Sequence, residues 1–153
     1  MNRAFLIETA NQLKQVSSLS ADEYALKSDQ LIGKMNQLML EKDDIESLVG
    51  KDNLAMMKDN HSNHVRFMLS VFRNYTPEVL VETILWVFRA YRSHGFTTNY
   101  WARQLNTWIG LLKDELSSDC YFELYPYYEW MQINIPLFVK VSDEKLDASE
   151  FLH

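Results

Sequence analysis

Residues 76 to 95 constrain this chain more than any other stretch. Thr76-Pro77-Glu78 reads as a helix start, with a Thr cap, Pro at the first helical position and an acid in the first turn. Gly95 closes the segment as a left-handed cap. Between them Val79, Leu80, Val81, Ile84, Leu85, Val87, Phe88 and Tyr91 cover most of the helix circumference. Only Glu78, Glu82, Arg89 and Ser93 leave a polar stripe. A helix so apolar must be covered nearly all round. The spacing therefore predicts a helix to about Ser93, central to the core of an all-α fold.

The breakers agree. Four Gly and three Pro in 153 residues are too few for an all-β chain with its many turns. The length is that of one domain with a core of its own. The rest of the pattern predicts six helices and a tail. One spans about Asn2 to Val16. A second opens at a Ser20–Glu23 capping box and runs to about Lys42. Asp43 to Val49 reads as a short helical turn ending at Gly50. A third long helix covers about Lys51 to Tyr75, and the Pro77 helix follows. Thr98 caps a helix from about Asn99 to Leu116, with Trp101, Leu105, Trp108 and Ile109 inward and Arg103 outward. Ser117-Ser118-Asp119 caps the last, about Cys120 to Val141, with a kink or break expected near Pro126 and Pro136. The domain is read as 1–141, and Ser142 to His153 as an acidic, frayed tail.

Charge and targeting narrow the function classes. A net charge of −6 repels phosphate backbones, so no nucleic-acid partner is expected. The most apolar run, Val79 to Phe88, carries Glu82 and is too short to span a bilayer. Without a signal-peptide run near Met1 the expected location is the cytoplasm. Cys120, the single cysteine, has no base partner in sight and reads as a structural thiol.

Two histidines carry the sharpest signal. His61 and His64 stand three residues apart on one helix face, inside the stripe of Leu54, Met57, Val65, Met68 and Phe72. Two readings stand: a ligand or pH-sensitive site, or core histidines hydrogen-bonded to backbone or Tyr. Two ligands are too few for a zinc site, and no metal is expected. Trp86, at the edge of the polar stripe between Glu82 and Arg89, reads as a ring left out for a partner. His94 beside Gly95 sits where a helix dipole favours a cation. Arg89, Arg92 and Arg103 form either a basic patch for an anion or acidic partner, or a solvated stripe.

The run Tyr91-Arg92-Ser93-His94-Gly95-Phe96, followed by Tyr100-Trp101, resembles the corner before the penultimate helix of bacterial sensor globins. In those proteins a haem-ligating histidine is followed four residues on by Gly and an apolar residue, and then by a Trp-Tyr pair. Here Gly95-Phe96 match the step, Tyr100-Trp101 match the pair in reversed order, and the ligand position falls on Tyr91. The resemblance implies a globin-like sensor domain, with an up-down helical bundle as the alternative. It also implies either a haem-free relative or haem held through His61 or His64. No cofactor is otherwise expected.

The resulting expectation is a non-catalytic regulatory domain with a small-molecule pocket near His61, His64, Trp86, Tyr91 and His94. It would act on a protein partner or as a homodimer. A haem or tetrapyrrole sensor and a small helical enzyme are the alternatives.

Overall fold

The computed structural model describes the backbone of residues 2–151 and the side chains of 2–144. Among the described residues the chain is all-helical, with eight helices. They are α1 (Asn2–Ala10), α2 (Ser18–Leu40), α3 (Ile45–Val49), α4 (Leu54–Arg73), α5 (Pro77–Ser93), α6 (Thr98–Glu115), α7 (Ser118–Ile133) and α8 (Ile135–Phe151). The count exceeds the expected six because α3 forms a true helix and the last segment divides in two. The division falls at Asn134, whose side-chain amide donates to the Trp130 carbonyl at 2.8 Å. Pro136 then sits in the first turn of α8, where its missing N–H leaves nothing unsatisfied. Pro126 remains inside α7 without ending it.

α1 stops six residues before the expected Val16, and the intervening chain is anchored by side chains from elsewhere. The Tyr75 hydroxyl donates to the Ala10 carbonyl at 2.5 Å, and that of Tyr127 to the Lys14 carbonyl. Gln15 closes the end of α4, donating to the Phe72 carbonyl at 2.6 Å and accepting from the Tyr75 N–H at 2.9 Å. At the other end of the chain, α8 continues without a break past the expected boundary at 141. Ser142 is buried and Asp143 pairs with Arg92 at 2.7 Å. Leu152 and His153 lie outside the described residues.

Two helix starts answer each other. Ser17 caps α2 and Ser117 caps α7. Glu123 of α7 takes the Ser17 N–H and hydroxyl, both at 2.8 Å. Glu23 of α2 takes the Ser117 N–H and hydroxyl, both at 2.7 Å. Glu23 therefore does not close the expected capping box with Ser20; that hydroxyl donates to Glu123 instead.

α5 is not the centre of the fold. It packs between α1 and α8 and leaves Val79 and Trp86 on the surface. The middle position belongs to α6, which lies against α2, α3, α7 and α8 and buries Tyr100, Trp101 and Trp108. α4 runs close to α2 and α3. The region bounded by α4, α5 and α6 is closed by long side chains rather than by close helix approach, and a cavity forms there.

A corner beside it fixes the entry to α4 and α6. Gly50 and Gly95 take φ of 98° and 107°. A Cβ on Gly50 would come within 2.9 Å of Asn53 Nδ2. That amide donates to the carbonyls of Val49 (2.9 Å) and His94 (2.7 Å), and the Thr97 N–H donates to the Leu48 carbonyl at 2.8 Å. The two glycines thus allow two turns to dock backbone to backbone.

Candidate functional site

The cavity holds about 200 Å³ and opens to the surface beside Trp86. Its walls are apolar: Phe67 and Met68 from α4, Ile84, Val87, Phe88 and Tyr91 from α5, Trp101 and Leu105 from α6, Met131 from α7 and Phe138 from α8. Phe88 stacks on Trp101 with centroids 4.5 Å apart, and Phe138 meets Phe88 edge-on at 5.3 Å. These rigid rings hold the far wall open. Polar groups enter from Asn60, Asn63, His64, Thr83 and Gln104, and among the described residues no Asp, Glu, Lys or Arg lines the space.

Trp86 is 57% exposed at the mouth, as its place beside the polar stripe predicts. His64, Trp86 and Tyr91 are brought together on the lining; His61 and His94 are not. His64 is partly buried, stacked on Trp108 at 4.9 Å, with its Nε2 2.8 Å from the Tyr128 hydroxyl. His61 is fully buried behind it, with Nδ1 2.6 Å from Asn36 Oδ1 and Nε2 3.4 Å from the Tyr100 hydroxyl. Burial lowers the His61 pKa to about 4. Burial, and then the proximity of His61, lowers that of His64 to about 3. Both rings are therefore neutral near pH 7.

His94 is exposed at the end of α5. The three arginines do not share a site. Arg92 reaches Asp143 on α8, Arg103 holds Asp44 through two bonds of 3.2 and 3.0 Å, and Arg89 stands half-buried on α5. Cys120 is buried, donates to the Ser20 carbonyl at 3.4 Å, and its thiol is pushed up to about 11 by burial. Of two further depressions, the one beside Asp44–Arg103 is lined mainly by polar groups, and the one beside Gln12–Val16 mixes Lys14 and Glu123 with Leu13, Phe122 and Pro126. Among the described residues no three His, Cys, Asp or Glu converge as a metal site needs.

Asn60 and Gln104 escaped the sequence reading, although both lie within apolar stripes: Asn60 three residues after Met57, Gln104 three after Trp101. They are 3% and 2% exposed. Asn60 Oδ1 accepts from the Tyr100 hydroxyl at 2.8 Å and from Gln104 Nε2 at 3.0 Å. An amide among large apolar residues at helical spacing was the signal available.

The volume is that of a space for one or two small rings; a cavity of about 150 Å³ admits benzene. A four-ring macrocycle is far larger. The chain matches no family model, no curated protein and no solved structure.

Proposed function

We propose that this chain is a non-catalytic regulatory domain that binds a small, mainly apolar molecule in the cavity bounded by α4, α5 and α6. It passes the occupancy on through protein contacts around Trp86. The observation that carries this reading is the cavity itself: an apolar space, walled by side chains from five helices, four of which supply rings, with an exposed tryptophan at its mouth. Keeping such space empty sacrifices packing contacts, by roughly 20–25 cal/mol for each Å³ of enclosed volume. A ligand restores them. The mouth offers an outlet, because a molecule seated there touches a side chain that also faces solvent. The corner from Tyr91 to Trp101 supports a sensing role through its similarity to sensor globins. It sets Tyr91, the residue at their haem-ligand position, on the wall of this cavity.

The test is a nuclear magnetic resonance screen of small aromatic molecules against the labelled chain, with sedimentation measured on the free and bound forms. Binding should shift amides of α4, α5 and α6 and the Trp86 indole N–H, and Trp86→Ala should weaken it several-fold. If no molecule perturbs that set, or if bound and free forms sediment alike with every protein tested, the regulatory reading fails. Absorbance from 250 to 700 nm with added haemin separates the haem reading, which requires a saturable Soret band.

A further inference from the structure

The Asn60–Gln104 pair gives the cavity a chemical preference. Gln104 Nε2 donates one N–H to Asn60 Oδ1, and the Tyr100 hydroxyl adds a second bond to the same oxygen. Asn60 Nδ2 and Gln104 Oε1 then have no protein partner among the described residues. Neither is among the buried side-chain atoms sealed from access without a partner. Both residues border the cavity and are otherwise almost fully buried, 3% and 2% exposed. Exchanging oxygen and nitrogen in one amide alone would set acceptor against acceptor or donor against donor. Exchanging both leaves the same result, one donor and one acceptor left over. The cavity therefore offers one N–H₂ and one C=O side by side in apolar walls.

From this we infer that the cavity selects a neutral, planar ring bearing an amide-like edge, a lactam or an aromatic carboxamide. The inference rests on the proposed function above. The ligand carbonyl accepts from one amide while its N–H donates to the other, and its ring fills the space among Phe88, Trp101 and Phe138. A carboxylate is disfavoured because among the described residues no cation lines the cavity and His64 is neutral. A plain hydrocarbon leaves both amide groups unpaired, which costs more than their bonds would contribute.

Titration calorimetry at pH 7 with benzamide, benzoate and toluene tests this. Benzamide should bind at least tenfold more tightly than benzoate. The benzamide-to-toluene affinity ratio should fall at least tenfold in the variant Asn60→Leu, Gln104→Leu. If that variant does not fold, Gln104→Met, close in volume, carries the test and should lower the ratio several-fold. Toluene binding with an unchanged ratio overturns the inference and leaves the apolar site intact. Failure of all three probes removes the site and the inference together.

Discussion

Protonating His61 or His64 would place a charge among Trp108, Tyr100, Tyr128 and Asn36, none of which carries a countercharge. Their folded pKa values, about 4 and about 3, lie below the ordinary 6.5. Between those limits the unfolded chain binds more protons, so stability is whole above pH 6.5 and declines as pH falls toward 4. At 1.36 kcal/mol per unit, moving from pH 7 to pH 5 costs on the order of 2 kcal/mol per histidine, and less for His64, which keeps some accessible surface. The lowered carboxylates Glu23, Glu115 and Glu123 act in a separate window, since their contribution is lost only below about pH 4.5. Urea unfolding at pH 7, 6 and 5 should show this slope, and His61→Gln with His64→Gln should flatten it. An unchanged slope in that variant would mean that other groups set the acid response. The histidine face was legible because an ionisable ring inside an apolar stripe has few places to go. Asn60 and Gln104 were not: an uncharged amide breaks a hydrophobic pattern without announcing whether it faces water, a partner or a cavity.

The reciprocal clamp between α2 and α7 is the element-level device that holds the fold's two best-defined helix starts. Each Glu accepts from the N–H and hydroxyl of the other helix's cap, at the positive end of that helix. Burial alone would raise the Glu23 pKa, but the Ser117 bonds and Lys27 outweigh it and the net shift is downward. Glu123 is lowered first by the Ser20 hydroxyl and then by Ser17. Each single Ala substitution, Glu23→Ala or Glu123→Ala, should cost roughly 1–2 kcal/mol, the low side of the scale for hydrogen bonds to charged groups because both carboxylates lie near solvent. The double variant should cost less than the sum by at least about 0.5 kcal/mol, because losing one clamp frees the crossing that the other needs. Strict additivity in denaturant midpoints would show two independent caps. Helix starts were readable wherever Ser or Thr met an acid in sequence. What decided Glu23 was not: Ser20 and Ser117 are both within reach of the first two turns of α2, and only the crossing of α2 with α7 selects Ser117. The recurrence of Ser-Ser-x-(Ser/Cys)-x-x-Glu at 17–23 and 117–123 was the available trace. The end of α1 left no comparable trace, since Gln15, Tyr75 and Tyr127 reach it from far along the chain.

At the scale of the molecule, the all-α class followed from few breakers and helical periodicity, but the arrangement did not. Val79, which the sequence counted as core, stands exposed on the same face of α5 as Trp86, seven residues on, which the sequence had left outward. A fully apolar helix specifies that it needs neighbours, not how many, and α1 and α8 supply two sides of α5 while the cavity takes part of a third. The cavity is thus the place where packing was left incomplete, and stability and binding should oppose each other there. Val87→Phe tests this on a partly buried wall residue whose neighbours leave room for a ring. Filling open space should raise stability by about 1 kcal/mol, well under the full cavity cost because the site opens to solvent. The same change should weaken binding of a one-ring molecule at least tenfold. Thermal unfolding and titration of this single variant read both effects. A variant less stable than the parent, with binding retained, would show a wall already packed to native density and a ligand seated elsewhere.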